Sequence, residues 1–277
     1  MWIWSPLREC SGDSATPYYR IYLIIQNMED DFSDIEVAVF DLDGTINYGE
    51  NIIPGAKETV EFMRSRGIKV VFATNNSGKT RQSLTERMHR LGIDCEVKDM
   101  YNSGYVAVRL VKEKGFRNAY VVGSDTFKEE ISEVTNLVDE EHADTLIVGI
   151  DLNFDYERMT LALRAALRSN TIIFCNEDVS YIGEGEKIYA GAGAMPTVVS
   201  TCSGKRPDYV VGKPNTPMFE LISRDTGVPC NKMVMIGDSY RSDVGFARNA
   251  GAKCILIGKD RDDVVCVPNI GCIPKLF

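Results

Sequence analysis

Four short polar sites stand where chemistry could be done, and each closes an apolar run. Asp41-Leu42-Asp43-Gly44-Thr45 follows EVAVF, Thr74-Asn75-Asn76 ends IKVVFAT, Lys213-Pro214 ends PDYVVGK, and Asp238 ends MVMIGD and leads into Ser239-Tyr240-Arg241-Ser242-Asp243. Asp41, Asp43 and Asp238 together would make a hard, oxygen-rich environment of the kind Mg2+ favours alongside waters and a phosphate. A cation and Lys213 would offset the repulsion between a carboxylate nucleophile and a phosphate dianion. The Thr74 hydroxyl and the amides after it can donate hydrogen bonds to transferring phosphoryl oxygens. Gly44 permits a sharp turn directly after the carboxylate pair.

Taken singly, each site is weak. A D-x-D-G tetrapeptide is commonly a polar turn, Thr-Asn-Asn is an ordinary helix start, and a Lys-Pro pair is usually solvated. The first site fails as an EF-hand, whose loop needs Gly at its sixth position and Glu at its twelfth. The signal lies in their order and in their shared position at strand ends. Ligands of open parallel sheets bind outside the carboxyl ends of the strands.

The elements that must position these sites follow from periodicity. PGAKETVEFMRSRG (54–67) has apolar residues at helical spacing, with Pro at its start and Gly at its end. TRQSLTERMHRLG (80–92), SGYVAVRLVKEKG, FDYERMTLALRAALRSN, MPTVVSTCSG, TPMFELISRDTG and SDVGFARNAG also read as helices. NAYVVGS, DTLIVGID and TIIFCN read as strands, and AKCILIG as the final strand. This alternation predicts an α/β fold, a parallel sheet covered on both faces. GEGEKIYAGAGAMPT (183–197) is glycine-rich and reads as a connection. Residues 1–33 lack a sustained period and are expected to form an extension outside the fold; the competing reading pairs IYLII as an extra strand.

Composition removes several classes of function. The chain has 277 residues, 31 basic and 40 acidic, for a net charge of −9. That balance argues against nonspecific nucleic-acid binding, which relies on Lys and Arg. Eight cysteines without a CxxC pair, and only two histidines, argue against a zinc cage. No stretch reaches the ~20 apolar residues of a membrane helix, and the N-terminus lacks a signal-peptide pattern. A cytoplasmic location is the expectation.

In this order the four sites resemble those of the haloacid dehalogenase superfamily of phosphotransferases. DLDGT matches its first motif, the Thr of TNN its second, the Lys of VGKP its third, and GDSYRSD its fourth. TNNSGKT, VVGSD, VGIDLNFDYERM, IFCNED and AGAGAM further resemble the NagD-like and p-nitrophenyl phosphatase subgroup. The resemblance implies a Rossmann-like core of 34–99 and 193–277 with an inserted α/β cap domain at 100–192. The interval from Thr74 to Lys213 is too long for one crossover helix and leaves room for the insertion.

It also implies roles. Asp41 would be the nucleophile that becomes an aspartyl-phosphate, and Asp43 the acid and then the base. Asp41 and Asp238 would bind Mg2+ through carboxylates, Asp43 through its backbone carbonyl, and Asp243 would orient the metal's waters. Thr74, Asn75 and Lys213 would hold the phosphoryl group. The cap loop departs from the subgroup, with CNED in place of the frequent TNPD. Asn176, Asp178 and Tyr181 are the candidates for leaving-group contacts, against an alternative in which the loop only satisfies its own backbone. The expected partner is a small phosphorylated metabolite such as a sugar phosphate, glycerol phosphate, phosphoglycolate or nucleoside monophosphate. A homodimer is also expected of the subgroup. Two other functions share these residues: transfer to an acceptor other than water, and a catalytically idle binding protein.

Overall fold

A computed structural model describes residues 31–182 and 187–277. Nearly all of the N-terminal extension, including IYLII, and residues 183–186 of the glycine-rich connection lie outside them.

Two parallel sheets organise the chain. The larger has six strands in the order Val265–Val267, Lys253–Ile257, Met233–Gly237, Val37–Phe40, Lys69–Thr74 and Met100–Asn102. The smaller has five, in the order Tyr209–Val210, Thr171–Phe174, Thr145–Val148, Asn118–Val122 and Asn136–Leu137. The central strands are buried along their whole length, as parallel strands covered on both faces must be. Along Val37–Phe40 the side chains alternate. Ala38 and Phe40 join one core, with Phe72, Ile236 and the helix Ala56–Ser65. Val37 and Val39 join another with Val71, Met235 and Phe219. This second core also holds Val121, Ile147 and Ile173 of the smaller sheet, so one apolar layer binds the two sheets together. The far face of the smaller sheet packs on the helices Tyr156–Arg168 and Ala194–Ser203. No helix among the described residues is long and apolar enough to cross a membrane.

Several boundaries differ from the sequence reading. Residues 100–102 pair as an edge strand of the larger sheet, whereas 209–210 pair into the smaller one. The inserted unit therefore spans the strands from 118 to 210 instead of 100–192. AKCILIG is followed by one more parallel strand, Val265–Val267, which is too short to show a period. The helix Asp125–Ser132 was missed as well. The connection after Asp178 contains a hairpin, Ser180–Ile182 against Ile188–Ala190. Phe32, read as part of the extension, is buried and meets Phe277 with ring centroids 5.3 Å apart.

Candidate active site

Asp41 follows Val37–Phe40, Thr74 ends Lys69–Thr74, and Asp238 follows Met233–Gly237. These are three adjacent strands, so the sites converge at the carboxyl end of one sheet. Lys213 arrives differently. It follows Tyr209–Val210 of the smaller sheet and crosses back to the larger one. Asp243 lies in a π-helical turn, Tyr240–Val244, anchored by its amide donating to the Ser239 carbonyl at 2.8 Å.

The centre is a buried ammonium between carboxylates. Lys213, 2% exposed, donates to Asp41 Oδ1 at 2.6 Å and to Asp243 Oδ1 at 2.7 Å. Asp41, Asp238 and Asp243 each bring a carboxylate oxygen within 4.8 Å of the others. Burial pushes the Asp41 carboxyl well above its usual range; Asp243 and Asp238 push the same way, against the pull of Lys213. Burial also raises Asp238, with Asp243 adding to it. Burial alone would lower Lys213, but Asp243 and Asp41 outweigh it and keep it protonated. Three carboxylates and one ammonium leave two negative charges, which a divalent cation would neutralise. Such a cation fits this donor set. Asp243 is engaged at both oxygens, by Lys213 and by the Ser239 amide at 3.0 Å. Asp41 and Asp238 therefore remain as the carboxylates that could hold it. Gly44 has φ +96°, and a Cβ there would meet an Asp238 oxygen at 2.7 Å, so only glycine fits.

Asp43 lines the same cleft, but its carboxylate lies outside the cluster. Its Oδ1 accepts from Asn47 Nδ2 at 3.2 Å and from Arg87 Nη1 at 3.3 Å. Asp41 and Asp238, the two expected to offer carboxylates to a metal, cluster with Asp243, and Asp43 was expected to offer only its backbone carbonyl.

Asn75 is committed to holding the two sheets together. Its Oδ1 accepts from the Lys213 amide at 2.8 Å; its Nδ2 donates to the Lys213 carbonyl at 2.9 Å and to Asp178 Oδ2 at 2.6 Å. Asn176, 1% exposed, donates to the Asn75 carbonyl at 2.7 Å and accepts from the Asp178 amide at 3.1 Å. Asn75, Asn176 and Asp178 thus form a clasp that fixes Lys213, with both Asn75 amide hydrogens, one Asn176 amide hydrogen and Asp178 Oδ2 engaged in it. Thr74 is buried beside them, its Oγ1 accepting from the Asn76 amide at 3.1 Å.

Above this floor the cleft encloses about 620 Å³, within the range of small-molecule sites. Tyr181 lines it, 47% exposed and stacked on Tyr189 at 5.6 Å, its partner across the hairpin. Tyr189, Arg87 and Lys259 were missed from sequence. Lys259 donates to the Asp238 carbonyl at 2.9 Å. The one available signal for Arg87 was a basic residue beside the buried stripe Leu84, Thr85 and Met88 of its helix.

A parallel α/β core with an acidic, lysine-centred site at its strand ends is shared with known hydrolases. Residues 38–135 match the family model described as haloacid dehalogenase-like hydrolase, and residues 210–266 match one described as HAD-hydrolase-like. Phosphoglycolate phosphatase 2 of Arabidopsis thaliana is 28% identical over 256 residues, covering 83% of this chain and 85% of that protein. An acid sugar phosphatase of Staphylococcus aureus is 28% identical over 219 residues, covering 78% and 84%. The solved p-nitrophenyl phosphatase from Archaeoglobus fulgidus superposes with a TM-score of 0.81 at 25% identity, covering 88% of this chain and all of that one. The chain belongs to the haloacid dehalogenase-like hydrolases, among the phosphatases of that family.

Proposed function

We propose that this protein hydrolyses a small phosphomonoester with Mg2+, through a phosphorylated Asp41. The observation that carries the reading is Lys213, buried and shared between Asp41 and Asp243 beside Asp238. Mg2+ bound at Asp41 and Asp238, with the Asp43 carbonyl, would supply the positive charge that lets an anionic nucleophile approach a phosphate. Asp41 attacks phosphorus as the ester oxygen leaves, and Asp43 gives that oxygen a proton. Asp43 then removes a proton from water, whose oxygen displaces Asp41 from phosphorus. Lys213 and Thr74 hold the phosphoryl oxygens, and Asp243 keeps Lys213 in place.

The inserted unit acts as a cap over the leaving group, which faces Tyr181 and Tyr189. The relatives named for phosphoglycolate and for sugar phosphates support a small anionic or polyhydroxylated leaving group. A cytoplasmic setting agrees with the described cysteines, all free thiols.

The test is intact-protein mass spectrometry after brief exposure to substrate. Asp41→Asn should form no phosphoryl adduct. Asp43→Asn should accumulate one from p-nitrophenyl phosphate, whose leaving group departs without a proton, but not from an alkyl phosphate. An adduct in Asp41→Asn and none in Asp43→Asn would reverse the two roles.

A further inference from the structure

Arg87 is a charged group that the proposed chemistry has not yet used. It lies in the helix Arg81–Arg90, its side chain is 13% exposed, and it lines the cleft. The one hydrogen-bonding and ionic partner of its side chain among the described residues is Asp43 Oδ1, at 3.3 Å. Nε and Nη2 are buried with no acceptor among the described residues. Burying a guanidinium with two empty donors is unfavourable. An apolar side chain of similar volume would serve stability at least as well. A residue kept at such a cost is explained by what it does to its partner.

The geometry at Asp43 is asymmetric. Asn47 Nδ2 and Arg87 Nη1 both address Oδ1, and no described residue donates to Oδ2. Two donors on one oxygen fix the rotation of the carboxyl group and leave the other oxygen for the reaction. We propose that Arg87 is the positioning residue of the acid–base Asp43: with Asn47 it anchors Oδ1, so that Oδ2 carries the proton to and from the cleft. This inference rests on the phosphatase reading above. It adds that an arginine on the helix after the second motif orients the acid–base group and holds its carboxylate away from the Asp41, Asp238 and Asp243 cluster.

A control is built into the same helix. Arg90 reaches Glu50 Oε2 at 3.3 Å, on the turn between the short strands Asn47–Tyr48 and Asn51–Ile52, without touching Asp43. Both arginines tie the helix to the segment that follows Val37–Phe40, Arg90 to the hairpin turn and only Arg87 to the acid.

The experiment compares Arg87→Met, Arg87→Lys and Arg90→Ala on p-nitrophenyl phosphate and on glycerol phosphate. Arg87→Met should lose about ten- to hundred-fold more kcat on glycerol phosphate than on p-nitrophenyl phosphate, part of the ~10²–10⁴-fold that acid–base assistance supplies. KM should change little. With p-nitrophenyl phosphate the variant should accumulate the phosphoryl adduct, because activation of water is also impaired. Arg87→Lys should recover part of the glycerol phosphate rate, and Arg90→Ala should behave as wild type. In an Asp43→Asn background, Arg87→Met should add almost nothing. Equal losses on both substrates without adduct, or additive losses in the double variant, would overturn the proposal and leave Arg87 as packing. If Arg87→Met does not fold, Arg87→Lys with its double variant decides on the same criteria. Absence of leaving-group dependence in Asp43→Asn itself would instead refute the acid–base reading on which the proposal rests.

Discussion

Replacing Lys213 by Met keeps most of the side-chain volume and removes the charge. In the native site that charge makes hydrogen bonds of 2.6 and 2.7 Å to Asp41 and Asp243, whose side chains are 11% and 1% exposed. Breaking a buried ionic network by deleting one partner costs about 3–5 kcal/mol. At about 2–4 °C per kcal/mol for a chain of this size, the midpoint should fall by roughly 6–20 °C. The sign of the pH dependence follows from Asp41. Its folded pKa is already raised by burial, and loss of Lys213 raises it further. A carboxyl raised by folding favours the folded state below its unfolded value, near 3.8, and loses that contribution as pH rises through the folded value. The deficit against wild type should therefore be largest near pH 8 and shrink towards pH 5. Saturating Mg2+ should narrow it at pH 8, because a divalent cation replaces part of the missing charge. The assay is thermal unfolding by circular dichroism at several pH values, with and without Mg2+. A variant that melts with wild type at every pH would refute the argument, since the ammonium would then not be what makes the cluster tolerable.

Other outcomes follow from the same geometry. EDTA should abolish turnover of p-nitrophenyl phosphate and Mg2+ should restore it; full activity in EDTA would remove the metal from the reaction. Gly44→Ala should cost about 1–3 kcal/mol from the strained φ and its clash with Asp238, and thermal shifts should no longer respond to Mg2+. Tyr181→Ala should change the ratios of kcat/KM among phosphomonoesters, whereas Asp178→Ala, by opening the clasp on Asn75, should lower them all alike. A uniform loss in Tyr181→Ala would assign the tyrosine pair to hairpin stability.

The α/β alternation and the strand-end carboxylates were legible from residue order because they depend on local rules. VAVF and MVMIG are apolar throughout, as strands covered on both faces must be, and a polar residue ending each is immediately visible. The family resemblance added roles to Asp41, Asp43 and Asp238 that periodicity alone does not supply. What no local rule carries is which sheet a short strand joins. Tyr209–Val210 pairs with Thr171–Phe174 because the smaller sheet offers an open edge there, and Lys213 therefore reaches the site from the inserted unit. Nor does residue type reveal where a donor is used. Asn75 read as a phosphoryl contact, and Asn176 and Asp178 as either leaving-group contacts or a self-satisfying loop; the fold bonds them to one another across more than a hundred residues of chain. Arg87 drew no reading of its own from sequence; only the fold sets it against Asp43. Sequence order determined the chemical groups available; tertiary packing decided which are free to react, because a buried donor or acceptor must be paired, and its partners are brought close only by the folded chain.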